Sequence, residues 1–291
     1  MRSLPCLFLA AVLLAGCAKQ TESPTSGTLS FVCAESVAPV LQKEAADFMR
    51  LYTKAVITLD STTTREALVK LGSGATRLVV ISRALNADEK KSFAAGNVAV
   101  DTFALAKDGI AVIVHPESPV RRLTLEQIRD IYSGKVSRWE QTGGKAGKIL
   151  PLSLSRNSGT AEVFFQGIGI DTTVSAALQV VPTSREMIEK VAADRSAIGF
   201  VGMNWLSDRV RALAVARTAS GEYIDIHQAS VYQGTYPLVQ TIYAVKTGGA
   251  YGLANGFVAY LTSGPGQKIF LNAGLVPITM PVKLIKVDRG T

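Results

Sequence analysis

The chain has 291 residues, of which 47% are apolar and 19% charged, with 31 Lys and Arg against 23 Asp and Glu. That composition excludes a disordered chain, and three cysteines exclude a disulfide scaffold. The net charge of +8 is scattered rather than gathered into a basic stripe, and His115 and His227 show no metal-ligand spacing, so neither a nucleic-acid partner nor a metal or other cofactor is expected.

Met1-Arg2-Ser3 gives a positive start and Leu4 to Gly16 is uncharged. That run falls short of the about 20 residues of a membrane span and suits a signal peptide over residues 1–16. Leu14-Ala15-Gly16-Cys17 resembles the bacterial lipoprotein cleavage box, which makes Cys17 the lipidated first residue of the mature chain. A Pro/Ser/Thr-rich tether, 17–27, follows. The expected location is the cell envelope, anchored by lipid and facing the periplasm or exterior. Cys33 is then the one remaining thiol and is expected to be a small buried hydrophobe.

Strands alternate with helices from there on. Thr28 to Ala34 reads as a strand and Val37 to Tyr52 as a helix, with Ser36 at the N-cap position and Pro39 in the first turn. Ala55 to Leu59 and Leu78 to Ile81 are strands, and Arg65 to Leu71 is a short helix closed by Gly72. Asn86 with Glu89 opens a helix whose Asp88 and Glu89 are expected to be solvated. Ile110 to His115 is a strongly apolar strand, and Thr124 with Gln127 makes a capping box for a helix that stops near Gly134. Leu150 to Leu154 is a strand leading into a helix through Phe164, Thr183 and Glu186 cap another helix, and Ala197 to Val201 and Leu238 to Val245 are strands. Helices cover Phe257 to Leu261 and Gln267 to Leu271. Such alternation implies α/β layers with largely parallel sheets, where ligands bind beyond the carboxyl ends of strands.

Three loops at such ends are rich in hydroxyls: Glu35-Ser36-Val37, Asp60-Ser61-Thr62-Thr63-Thr64 and Arg156-Asn157-Ser158-Gly159-Thr160. Each leads into a helix start, where unpaired N–H groups and the positive end of the dipole suit an anion. Gly159 would let the backbone approach a ligand, and Arg156 could make a two-pronged bond to an oxyanion. Taken singly, each loop is a helix cap or turn and Arg156 a surface charge; it is the three together that favour an oxyanion site. Ser158 lacks a nucleophile elbow and there is no Walker-type run, so no catalysis is expected.

The chain resembles the phosphate-binding proteins of bacterial phosphate ABC transporters, within the type II periplasmic binding protein superfamily. Ser36-Val37-Ala38-Pro39, Ile81-Ser82-Arg83-Ala84-Leu85, Asp108-Gly109-Ile110, the stretch from Leu123 through Gly144, Ser158-Gly159-Thr160, Gly199-Phe200-Val201-Gly202 and Gly274-Leu275-Val276-Pro277 carry the resemblance. It implies a two-lobed α/β fold with a ligand cleft between lobes joined by two crossovers: domain I over 28–108 and 238–291, domain II over 109–237. It implies a monomer that captures phosphate or a similar tetrahedral oxyanion and hands it to a membrane ABC permease, with no enzymatic activity. The ligand-binding set it implies is Ser36, Val37, Thr62, Thr63, Thr64, Ser82, Arg83, Arg156, Ser158, Gly159 and Thr160. Arg83 stands where some members place an Asp that accepts the ligand's proton, unless it points to solvent. Asp60, and less so Glu35, are the candidates to replace that acceptor, and without one sulfate should compete with phosphate. A sensor or scaffold lipoprotein that binds ligand weakly, and a phosphate-ester hydrolase, are the alternatives.

Overall fold

The computed structural model describes residues 23–170, 174–249 and 251–279. The expected signal peptide, Cys17, the part of the expected tether before Ser23 and residues 280–291 lie outside the described residues.

The chain opens with β1 (Gly27–Ala34), a 3-10 turn over Glu35–Val37 and α1 (Ala38–Leu51), followed by β2 (Ala55–Thr62), α2 (Thr64–Gly72), β3 (Leu78–Ile81) and α3 (Ala87–Ala95). Two of these helices open on reciprocal caps, of which the sequence marks only the second. Thr63 caps α2 with Glu66 in reciprocal bonds, and Asn86 caps α3 with Glu89 in the same way. Ser36 is a correction: it lies inside the 3-10 turn and makes no side-chain cap bond, because Val37 is the residue that precedes α1. β2 also runs three residues further than its apolar pattern, to Thr62, because its backbone stays paired with β1 up to Ala34.

β4 (Val100–Val114) is a second correction. Only its last third is apolar enough to be legible, yet the strand spans 15 residues. Its first part, Val100 to Gly109, pairs antiparallel with β11 (Val239–Thr247), and Ile110 to Val114 pair antiparallel with β8 (Ala197–Gly202). One strand therefore belongs to both halves of the sheet.

Between β4 and β11 lie β5 (Arg122–Thr124), α4 (Leu125–Ser133), β6 (Leu150–Leu154), α5 (Gly159–Gly167), β7 (Gln179–Val181), α6 (Ser184–Ala193), β8, β9 (Arg211–Ala212), β10 (Ala214–Ala216) and α7 (Gln228–Tyr232). The Thr124–Gln127 capping box and the left-handed Gly134 bound α4 as the sequence predicts. After β11 come α8 (Leu253–Leu261), α9 (Gly264–Asn272) and β12 (Val276–Pro277).

The strand order is β2-β1-β3-β11-β4-β8-β6-β7. Parallel pairing holds within β2-β1-β3 and within β8-β6-β7, but β3/β11, β11/β4 and β4/β8 are antiparallel. The sheet is thus mixed rather than largely parallel, because the two connecting strands enter against the direction of the βαβ units on either side. The result is a two-lobed α/β fold. In the first lobe the aromatic rings of Phe31, Phe48, Phe257 and Tyr260 pack α1 and α8 onto β1. In the second, Phe164 stacks on Phe200 at 3.8 Å, with Tyr132 edge-on to both. Cys33 is free and buried, and desolvation, helped by the charges of Glu35 and Asp60, pushes its thiol up to about 12, so it is inert at neutral pH. Among the described residues no helix is long and apolar enough to cross a membrane.

Candidate functional site

Because β1, β2 and β3 run parallel, their carboxyl ends deliver the turn at Glu35–Val37, the start of α2 and Ser82 to one edge of the first lobe. β6 does the same in the second lobe, where Ser158 precedes α5. The two edges meet. A Cβ added at Gly159 would stand 2.6 Å from both Ser82 Oγ and Thr64 Oγ1, and 3.2 Å from Arg83 Cγ. The N-terminus of α5 therefore rests against two hydroxyls of the opposite lobe, and only glycine allows that approach.

The hydroxyls divide sharply. Thr64 Oγ1 and Ser82 Oγ lie 3.3 Å apart and both residues are wholly buried. Thr160 Oγ1 is buried and has no partner, an orphan that an anion at the N-terminus of α5 would satisfy. Ser158 is buried and spends its side chain on no cap bond. By contrast Thr62 donates to Glu66 Oε2, and Thr63 Oγ1 accepts from Glu66 N at 3.3 Å. Both are half-buried and committed to α2, so of the threonine run only Thr64 turns into the cleft.

Arg83 is only 8% exposed, which overturns the reading that it points to solvent. Its NH1 and NH2 donate to Glu89 at 2.8 and 2.7 Å, NH1 also to the Ala84 carbonyl at 2.9 Å, and Nε pairs with Glu162 on α5 of the opposite lobe. Glu89 is accordingly not a solvated helix residue: burial works against its charge, but the Arg83 bonds, the Asn86 N–H and the nearby charge of Arg65 together outweigh that and hold the carboxyl below its usual range. Arg156 lines a groove with Arg83 and Glu162, on the α5 side of the cleft.

Two further contacts join the lobes beside Ser36, which is buried. Its carbonyl accepts from Asn204 Nδ2 at 3.0 Å and Trp205 Nε1 at 2.8 Å. Glu35 accepts from Ser184 N at 3.0 Å and Ser184 Oγ at 2.9 Å, so it caps α6 across the cleft. Burial raises the Glu35 carboxyl, and the two Ser184 bonds oppose the shift. A backbone bond, Arg65 N to Asn157 O at 3.2 Å, adds a third tie. Asp60, the leading candidate for a proton acceptor, is exposed on β2, the edge strand of the sheet. Among the described residues no group of three or more His, Cys, Asp and Glu is placed to hold a metal ion.

Glu162, Asn204, Trp205 and Ser184 are the cleft residues that sequence reasoning missed. Only Glu162 carried a signal, as an acid in the first turn of a helix whose start was already suspected of binding anions.

A family model described as a PBP superfamily domain matches residues 18–265. The chain belongs to that superfamily. Among its relatives, the phosphate-binding protein PstS of Bacillus subtilis is 27% identical over 261 residues, covering 89% of this chain and 83% of its own length. The PstS of Pseudomonas aeruginosa is 25% identical over 281 residues, covering 90% and 87%. A crystal structure described as a putative phosphate ABC transporter substrate-binding protein with bound phosphate, from Clostridium perfringens, superposes with a TM-score of 0.81 at 25% identity, over 87% of this chain and all of the other. An ABC-type phosphate transport receptor from Vibrio cholerae shares the fold, with a TM-score of 0.71 at 24% identity over 87% of this chain and all of its own. The superfamily's two-lobed architecture is the one seen here, with the cleft lined by the loops described above.

Proposed function

We propose that this chain is an extracytoplasmic solute-binding protein that captures phosphate and delivers it to an ABC permease. The two PstS relatives and the Clostridium perfringens protein are described as phosphate-binding or phosphate-transport proteins, the last with phosphate bound. The observation that carries the reading is the buried, partnerless Thr160 Oγ1 at the start of α5, next to Gly159, which itself lies against Thr64 and Ser82 across the cleft. In this reading Ser158, Gly159 and Thr160 bind from the second lobe, and Ser36, Val37, Thr64 and Ser82 from the first. Thr62 and Thr63 shape the α2 start, and Arg83 holds the cleft edge through Glu89 and Glu162. The lobes are taken as 28–108 with 238–291, and 109–237. Lipid attachment at Cys17, a monomeric state and the absence of catalysis belong to the same proposal. Cys17→Ser should release the protein from the membrane or leave it unprocessed.

Among the described residues no carboxylate of the cleft is placed to accept the ligand's proton in that arrangement. Asp60 faces solvent, Glu35 is engaged by Ser184, and Glu89 and Glu162 are engaged by Arg83. Two acceptors facing each other would otherwise penalise sulfate, which brings no proton. Calorimetry with phosphate alone and with sulfate in competition tests both points: phosphate should bind and sulfate should compete. Failure to bind phosphate at all would favour the sensor or scaffold alternative. Failure of sulfate to compete in large excess would mean that an acceptor is present after all.

A further inference from the structure

The amide of Asn204 has two jobs and the structure accounts for only one. Its Nδ2 donates to the carbonyl of Ser36 across the cleft, but its Oδ1 is buried without a partner. Beside it lies Asp108, wholly buried where β4 passes from one half of the sheet to the other. Asp108 Oδ1 accepts from Met203 N at 2.9 Å, and Oδ2 accepts from Gln240 Nε2 at 2.8 Å. A Cβ added at Gly202 would collide with both Asp108 Oδ2 and Asn204 Oδ1, so the two oxygens border one small space. Gln240 Oε1 is likewise buried and partnerless.

The groups facing the carboxyl are therefore neutral: the Gln240 amide from β11, and the Met203 N–H and Asn204 amide from the turn after β8. The titration of Asp108 is set by burial first and by the Gln240 and Met203 bonds second, with no charged neighbour among its causes. Burial pushes the group up to about 7. The cluster has more buried acceptors than donors, and a proton on Asp108 Oδ2 is the donor that Asn204 Oδ1 lacks.

We infer that Asp108 and Asn204 are positioning residues for the Ser36 loop, and that a proton on Asp108 decides which way the Asn204 amide points. Protonated Asp108 donates to Asn204 Oδ1 and keeps Nδ2 on the Ser36 carbonyl, so the ligand loop is held against the second lobe. Ionised Asp108 attracts Nδ2 instead, turns the amide over and removes that bond. The proton belongs to the closed state, so the support is complete well below pH 7 and is lost as the pH rises through about 7.

Phosphate changes its own charge near neutral pH, so the test compares variants rather than reading one profile. Asp108→Asn keeps the shape and carries a permanent donor; Asn204→Ala removes the amide. Dissociation constants for inorganic phosphate are measured by calorimetry from about pH 6 to 8.5. The wild-type constant divided by that of Asp108→Asn should rise several-fold across that range and by no more than about thirtyfold, since pH 8.5 lies about 1.5 units above the group's value of about 7. The advantage of wild type over Asn204→Ala should be clear at the acid end and shrink toward nothing at the alkaline end. Parallel profiles for all three proteins would overturn the inference, and if Asp108→Asn does not fold the Asn204→Ala ratio decides alone. The choice of phosphate as probe rests on the proposed function, so a ligand-free arm separates the two. In the apo protein the Asn204 side-chain NH2 resonances should titrate near pH 7, and an unmoving signal overturns the switch whatever the ligand is.

Discussion

Two hydroxyl-rich loops face each other across the cleft, each running into a helix, and they use their hydroxyls in opposite ways. At Thr62–Thr64 the first two side chains are bonded to Glu66 and serve α2, which leaves Thr64 for the cleft. At Ser158–Thr160 neither hydroxyl caps α5, and Thr160 Oγ1 has no partner at all. The difference lies in the third residue of each helix. Glu66 completes a capping box at α2, whereas Ala161 stands at the equivalent place in α5 and Glu162, one residue on, is drawn away to Arg83. A helix start is available to a ligand when its own sequence does not satisfy it.

The most severe way to break this comparison is Gly159→Val. The glycine sits against Thr64 and Ser82 with no room for a Cβ, and overpacking costs roughly 1–3 kcal/mol for far smaller insertions. Phosphate affinity should fall by at least about a hundredfold, and because overpacking also costs stability the melting temperature should drop, while circular dichroism still shows a folded chain. A variant that binds normally would place the ligand elsewhere.

Thr160→Ala comes next. A bond from a hydroxyl to a charged group is worth about 1.5–3 kcal/mol, so affinity should drop by about one to two decades. Because the hydroxyl has no partner in the ligand-free cleft, the melting temperature of the apo protein should not fall. Equal losses of stability and affinity would mean that Thr160 is a structural residue.

Thr63→Ala and Thr64→Ala sharpen the contrast within one loop. Loss of the Thr63 cap should cost about 1 kcal/mol of stability, seen as a lower denaturation midpoint. Thr64→Ala should instead weaken phosphate by about tenfold, the low end of a bond to a charged group, because Thr64 Oγ1 is already shared with Ser82 Oγ. The reverse pattern would exchange the two roles.

The smallest effect is expected at Glu162→Gln. The carboxylate is 40% exposed although its partner Arg83 is buried, so solvent screens the pair and it contributes less than about 1 kcal/mol. Affinity should change by less than about fivefold, and the change should fade as salt is added. A large, salt-independent loss would mean that Glu162 touches the ligand.

How much of this was legible depends on the distance over which each feature is determined. The caps at Asn86, Thr124 and Thr183 were readable because cap and partner lie three residues apart. The strand Leu78–Ile81 was readable from its apolar run alone. The first part of β4 was not, since Val100 is only partly buried, Asp101 and Thr102 are exposed, and all three hold their place by pairing with β11.

The sequence by itself determined the alternation of strands and helices, the hydroxyl loops at strand ends and the residue types able to meet an oxyanion, because these follow from periodicity and local backbone chemistry. Which hydroxyls remain free was decided only by tertiary structure. Arg83 meets a carboxylate 79 positions away, Glu35 caps a helix 149 positions away, and Asn204 reaches Ser36 across 168. Contacts at such separations depend on how the two connecting strands set one lobe against the other, and nothing in the short-range pattern of either partner records that placement.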